Sequence, residues 1–261
     1  MIRFVHITDT HIGPTLDTEV FRTNPAELYE RLVRYISSLP FTPDFIVHTG
    51  DVASDPHEDA YALAGSIARP LSSPMFYVAG NHDSADLMWK YFSPLCAGLE
   101  RSPSGSFTYR FGLGEQNFIV VDASGSEGGA SHGLVQGTDL AFVEEQLQRH
   151  ASSSIFIHFP LLPHDCPWSD ESMLPDNGRA LHELLVSHAK TVRGVFHGHL
   201  HRGVQLASQG ILYSGAPSVC CQFTSWPTPH DPGEDTSISL RFNIVTMMRD
   251  KVIIKEFCAP S

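Results

Sequence analysis

Short apolar runs alternate along the chain with longer stretches in which apolar residues recur every three or four positions. RFVHIT at residues 3–8 reads as a strand. NPAELYERLVRYISSL at 24–39 follows the helical period, with Asn24 placed to cap it and Pro25 at the first position, where the missing N–H would have no partner anyway. DFIVHTG at 44–50 predicts a second strand, HEDAYALAGSIARPL at 57–71 a second helix and MFYVAG at 75–80 a third strand. Successive β-α-β units of this kind predict a sheet with helices on both faces. Strand-like runs SFTYRF (106–111), NFIVVDAS (117–124) and SIFIHF (154–159) follow, with a helix over 138–151 before the last. A helix over 177–189 leads to RGVFHG (193–198), GILYSG (210–215) and a closing pair at 237–248 and 251–257. Together they predict an α/β chain of two sheets packed face to face with helices outside. The loops at 160–176 and 224–236 are the least regular parts, and there is no internal repeat.

Composition narrows this picture. A chain of 261 residues, 42% hydrophobic and 18% charged, can bury a substantial core and is neither disordered nor fibrous in character. Lys and Arg total 17 against 29 Asp and Glu, a formal charge of −12 that repels polyanions, so no nucleic-acid polymer is expected as a partner. The start MIRFVHITDTH has no basic region followed by an apolar one, and no run approaches a membrane span, so a cytoplasmic protein without a membrane partner is expected. Five cysteines, at 96, 166, 220, 221 and 258, lack Cys-x-x-Cys spacing and read as reduced thiols.

The chemistry falls where the strands end. Asp9-Thr10-His11, Gly50-Asp51, Gly80-Asn81-His82-Asp83, His158 and Gly198-His199-Leu200-His201 each follow a predicted strand. Ligands of open α/β sheets collect at the carboxyl ends of strands, so these five loops can converge on one site. Residues at i and i+2 of an extended segment share a face, so Asp9 and His11, and His199 and His201, can each serve a common centre. Carboxylate, amide and imidazole donors suit Mn, Fe, Zn, Co or Ni better than Ca or a closed structural zinc site. Seven donors exceed one centre that must also hold water, and two metals are the natural count.

Taken singly, each block is ordinary. Gly-Asp is a common turn, a lone strand histidine is usually a core residue, and Asn-His-Asp could cap a helix through Asp83 or Ser84. In order, each after a strand, they resemble the calcineurin-like metallophosphoesterase superfamily over nearly the whole chain. The resemblance implies a four-layer α-β-β-α sandwich of two mixed sheets, here one domain over 1–261, with 214–236 an insertion that borders the pocket or an oligomer contact. It also implies that Asp9, His11 and His201 hold one metal, Asn81, His158 and His199 the other, and Asp51 bridges. Manganese and iron, divalent or mixed-valence, are favoured.

Val52-Ala53-Ser54 after Asp51 departs from the Arg-Gly continuation of phosphoprotein phosphatases and from the tyrosine ligand of purple acid phosphatases. The third block, HFPLLPHDCPWSD (158–170), Asn177 and SGAPSVCCQF (214–223) look instead like the class III cyclic nucleotide phosphodiesterases, a branch that includes glycerophosphodiesterases. One departure is His158-Phe159-Pro160, where many members read His-His-Pro. The expected activity is hydrolysis of a small phosphodiester such as cAMP, with 2′,3′-cyclic nucleotides or glycerophosphodiesters as alternatives. Two metals about 3.5–4 Å apart can lower the pKa of a bridging water and clamp the phosphoryl oxygens. His82, next to Asn81 but assigned to no metal, is the candidate to assist the leaving group, and Asp83 the candidate to fix its tautomer or hold it protonated. Homodimers or higher homo-oligomers would fit the family. A non-catalytic scaffold of the same fold, binding a protein partner, is disfavoured because every ligand position and His82 are present. His6, His48 and His197 are expected to be buried neighbours of the site, His164 a solvated loop residue, and Cys220-Cys221 two small buried residues.

Overall fold

The computed structural model describes residues 1–94, 96, 98–125, 131–225, 227, 233–235 and 240–259. In chain order the elements begin with β1 Ile2–Ile7, α1 Pro25–Ser37, β2 Phe45–His48, α2 Glu58–Ala68, β3 Met75–Tyr77 and α3 Ala85–Phe92. There follow β4 Glu100–Arg101, β5 Tyr109–Leu113, β6 Gln116–Val121, α4 Gly137–Arg149, β7 Ser153–Ile157, α5 Pro167–Ser172, α6 Gly178–Ser187 and β8 Val192–His197. The chain continues through β9 Val204–Ser208, β10 Ile211–Gly215, β11 Gln222–Phe223, β12 Glu234–Asp235, β13 Arg241–Met247 and β14 Val252–Cys258.

Local chemistry sets the helix starts. Asn24 Oδ1 accepts the Glu27 N–H at 3.0 Å and Pro25 fills the first turn of α1, while Tyr29, Leu32, Val33 and Ile36 form its buried stripe. Helix α3 escapes the sequence reading because its eight residues follow directly on the Asn81-His82-Asp83 block, and only Met88 and Phe92 are buried along it. Ser84 stands at its N-cap without a side-chain bond, and Asp83 is turned elsewhere. The short elements α5 and β9 were likewise not anticipated.

One sheet has the order β14-β13-β1-β2-β3, with β1, β2 and β3 parallel and β13 antiparallel to both β1 and β14. The other runs β4-β5-β6-β7-β8-β10-β9, parallel from β6 through β7 and β8 to β10 and antiparallel at both ends. β11 and β12 form a separate ribbon. The two sheets meet through phenylalanines. Phe4 stacks on Phe45 at 4.7 Å and meets Phe156 and Phe196 across the interface at 5.6 and 5.3 Å, while Phe76 stacks on Phe111 at 3.5 Å. On the far side of the second sheet, Ile119, Val121, Ile155 and Ile157 pack with Phe142 and Leu147 of α4 and Leu181 and Leu185 of α6. Helices α1, α2 and α3 cover the first sheet, which gives the four α-β-β-α layers.

Every parallel strand of the first sheet and two of the second deliver their carboxyl ends to the same edge, and that edge carries the blocks singled out in the sequence. The expected strand from 237 forms from Arg241; residues 236–239 lie outside the described residues, as do 226 and 228–232 of the expected insertion at 214–236. No helix among the described residues is long and apolar enough to cross a membrane.

Candidate metal centre

Donor atoms of Asp9, His11, Asp51 and His201 lie within 4.8 Å of one another, and so do those of Asp51, His158 and His199. All six residues are buried. Asp51 belongs to both groups. Asp9 Oδ1 faces His201 Nε2 at 3.5 Å and His11 Nε2 at 4.0 Å, and Asp51 Oδ2 faces His158 Nε2 at 3.2 Å and His11 Nε2 at 3.7 Å. Asn81 Oδ1 lies 3.2 Å from His158 Nε2, so the amide joins the second group. All seven expected ligands thus meet at one edge.

The backbone that brings them there differs from the extended segments expected. Asp9, His11, Asp51, His199 and His201 all adopt left-handed conformations, with φ of 54°, 47°, 53°, 67° and 52°. Five non-glycine residues in that region at one site represent local strain held by the surrounding fold, as is common where geometry serves a ligand. The two sides of the site are tied together by Asp9 N–H to Gly50 O and His11 N–H to Asp51 O, each at 3.0 Å. Gly80 and Gly198 permit close approaches, since a Cβ would fall 2.1 Å from Asp51 Oδ1 at the first and 1.9 Å from Thr8 Oγ1 at the second.

Ring orientation tests whether these residues suit metal ions. His158 Nδ1 donates to Thr49 O at 2.7 Å, and His199 Nε2 donates to Ser131 O at 3.0 Å. His201 Nδ1 pairs with Cys221 Sγ at 3.2 Å. His158 and His199 therefore carry a proton on the outward nitrogen, and the inward nitrogens of all three rings converge on the two carboxylates. Asp9 Oδ1 is buried with no hydrogen-bond partner, a costly arrangement unless a cation meets it. The donor set fits two cations sharing Asp51.

Electrostatics point the same way. Burial pushes the Asp9 carboxyl up to about 7, against the opposing pull of His158. Burial also opposes ionisation of Asp51, but His158 at ion-pair distance, then His11 and His82, hold it well below the usual carboxylate range. For His158 burial favours the neutral ring, yet Asp51 and then Asp9 outweigh it and raise the imidazole to about 9. Burial lowers His11 to about 4 and leaves His199 and His201 neutral, the form in which imidazole binds metal. A cation between Asp51 and His158 would replace the proton they share.

His82 Nδ1 donates to Ser54 O at 2.7 Å and its backbone N–H donates to Asp51 Oδ1 at 3.0 Å. The half-buried ring stands 5.0 Å from that of His11, with Nε2 left for chemistry. Asp83 does not serve His82 as expected. Its carboxylate accepts the N–H groups of Gly80, Val52 and Ala53 at 3.0, 3.1 and 3.2 Å and the Tyr61 hydroxyl at 3.2 Å. The tautomer of His82 is set by the Ser54 carbonyl, and Asp83 pins the loop of Asp51 to the loop of Asn81.

The remaining histidines separate cleanly. His6 and His48 are buried against Thr49 Oγ1 and Thr10 Oγ1, each at 2.9 Å, and His197 is buried with Nδ1 at 3.1 Å from Gly198 O. His164 departs from the solvated role expected: its side chain is 4% exposed, 2.8 Å from Ser169 Oγ and 3.0 Å from Asp170 Oδ1, because α5 folds the 160–176 loop back on itself. Sequence reasoning missed Thr49, Ser54 and Ser131 as acceptors, and no signal could have found them, because a backbone carbonyl has no residue signature. It also missed the contact of Cys221 with His201. A cavity of about 470 Å³ lined by Leu161, Pro175, Arg179 and His182 lies apart and holds none of the converging donors.

A four-layer sandwich with two acid–imidazole clusters sharing one carboxylate at the strand ends defines a dimetal-type phosphoesterase. The chain belongs to the calcineurin-like phosphoesterase family, whose model matches residues 2–203. It is a metal-dependent phosphoesterase. It is 25% identical over 226 residues to the 3′,5′-cyclic adenosine monophosphate phosphodiesterase CpdA of Haemophilus influenzae, covering 85% of this chain and 78% of that one. It is also 26% identical over 207 residues to the glycerophosphodiester phosphodiesterase GpdQ of Enterobacter lignolyticus, covering 75% and 69%. Among solved structures, a dimetal phosphatase from Danio rerio shares the fold with a TM-score of 0.73 at 18% identity, over 99% of this chain and 96% of that one.

Proposed function

We propose that this protein hydrolyses 3′,5′-cyclic nucleotides such as cAMP, and that residues 1–261 act as one catalytic domain. The observation that carries the proposal is the pair of donor clusters sharing Asp51, with His82 beside them and committed to neither. Similarity over 85% of the chain to an enzyme named for cAMP supports the choice of substrate. In this reading Asp9, His11 and His201 hold one metal, Asn81, His158 and His199 the other, and Asp51 both; manganese and iron are the favoured ions. When bound, the pair supplies a nucleophile at neutral pH and positive charge for the phosphoryl oxygens.

The chain's own residues complete the reaction. Outward bonds from His158, His199 and His201 fix the ring planes. Asp83 holds the Asp51 and Asn81 loops in register. His82, anchored by Ser54 and by its backbone bond to the Asp51 carboxylate, presents Nε2 to the departing alkoxide; as the imidazolium it gives up the Nε2 proton and is left as the neutral ring with its remaining proton on Nδ1, held by Ser54 O. Similarity to GpdQ favours glycerophosphodiesters as the second reading. The deciding experiment compares kcat/KM for cAMP, cGMP, 2′,3′-cyclic AMP and glycerophosphocholine with Mn²⁺-loaded protein. A preference for the 3′,5′-cyclic nucleotides is expected; a preference for glycerophosphocholine would select the second reading.

A further inference from the structure

Beside the donors of the first cluster stands a group of aromatic rings that phosphoryl chemistry alone does not require. Phe223 stacks on His201 with centroids 4.1 Å apart and planes 2° from parallel. Phe21 lies edge to face with His11 and His201, 5.6 Å from each, and 5.7 Å from Phe223. Trp168 meets Phe223 at 6.1 Å. The three rings come from three separate places, the 13–23 loop, α5 and β11, and all are half-buried, so each keeps part of its surface at the rim.

The loop that delivers Phe21 is itself unusual. Val20 and Thr23 exchange backbone hydrogen bonds at 3.1 and 3.0 Å around Phe21 and Arg22, both left-handed with φ of 48° and 58°. Two positive φ values at the centre of a tight turn ordinarily select Asn-Gly. A phenylalanine and an arginine there carry a conformational cost, and of the two only Phe21 is turned into the protein while Arg22 is exposed. The turn places one aromatic ring against His11 and His201.

We infer that Phe21, Trp168 and Phe223 form the wall on which the base of a nucleotide substrate packs, an inference that rests on the cyclic-nucleotide reading above. Flat half-exposed rings at a polar site offer apolar surface to a planar π-system and little to a glycerol or choline chain. The position also suits the covalent geometry of the substrate. The His11 ring is 5.0 Å from both His82 and His201, so the wall begins one ring away from the group proposed to protonate the leaving oxygen. In a 3′,5′-cyclic nucleotide that oxygen and the base belong to the same ribose.

The test uses the metal-loaded 261-residue chain with Phe21→Ala, Trp168→Ala and Phe21→Trp. Affinities for AMP and for ribose 5-phosphate are measured by calorimetry, and kcat/KM is measured for cAMP and glycerophosphocholine. Loss of one stacking partner is expected to weaken AMP about tenfold relative to ribose 5-phosphate, to lower the cAMP to glycerophosphocholine selectivity ratio by about the same factor through KM, and to be reversed by Phe21→Trp. Equal losses for the two ligands would show that the rings only prop His11 and His201, and unchanged AMP affinity would show that the base lies elsewhere; either result overturns the inference. If the unaltered protein turned over glycerophosphocholine but no cyclic nucleotide, the functional reading would fail, and the comparison of AMP with ribose 5-phosphate would still decide the role of the wall.

Discussion

Three of the four converging imidazoles bond to a partner through the outward nitrogen, and that single bond orients what each ring offers inward. For His158 and His199 the partner is a carbonyl that accepts the proton; for His201 it is the Cys221 sulfur, a weaker partner. Replacing Cys221 by valine should weaken metal binding about tenfold, read as a metal dissociation constant by competition with a chelator, while serine should retain most of the affinity. Equal affinity in the valine variant would show that Cys221 does not orient His201. His82 has the opposite commitment, with its anchored nitrogen on Ser54 and the other free. His82→Ala should lower kcat on diesters about 100-fold with metal content unchanged; undiminished kcat would end its role with the leaving group. The residue types at the site were legible because each follows a strand and their order matches a family pattern. Their partners were not, because most are backbone carbonyls and one is a cysteine with an ordinary buried reading.

The elements that bear these residues were legible wherever apolar periodicity ran long enough. Helices α1, α2, α4 and α6 and the strands of both sheets other than β4 and β9 fall within a few residues of the expected bounds. What was not legible is the conformation between them. Asp9 and His11 were expected to share the face of an extended segment, yet they meet through successive left-handed turns, which depend on contacts from β2 and its loop rather than on local sequence. Asp83 is the clearest tie between elements, drawing together the ends of β2 and β3 and the middle of α2 through Tyr61. Asp83→Ala would leave several buried N–H groups unpaired and should lower stability by roughly 2–4 kcal/mol, measured by urea unfolding of metal-free protein. A change within error would show that water replaces the carboxylate without cost. The α5 turn illustrates the same limit from the other side: six residues rearrange a loop and bury His164, whose place in an irregular segment points to solvent.

Across the whole molecule, the phenylalanine interface between the sheets holds one edge rigid, and the site is a feature of that edge. Burial there has a pH signature. His6 is lowered to about 3, chiefly by burial and then by His197 and His48; His48 is lowered to about 3, chiefly by burial and then by His158. Both folded values lie below the ordinary 6.5, so as pH falls the unfolded chain takes up protons before the native one. Their contribution to stability is therefore present above pH 6.5 and lost progressively as pH drops from 6.5 toward 3. Metal-free protein should melt at a lower temperature at pH 5 than at pH 7.5, and His48→Gln should flatten that slope; a melting temperature independent of pH would contradict the buried neutral state. The formal charge of −12 acts at the same scale, since an acidic surface disfavours polyanions and leaves small anionic substrates to be drawn by local positive charge.

In the proposed reaction, two metal ions held by Asp9, His11, Asp51, Asn81, His158, His199 and His201 carry hydrolysis of a small phosphodiester. The decisive measurement titrates Mn²⁺ into chelator-stripped protein, with cAMP turnover and bound metal followed together. No turnover is expected in verified metal-free protein, and activity should saturate as the second ion per chain binds. Full activity without metal, or no turnover with both sites filled, would contradict it.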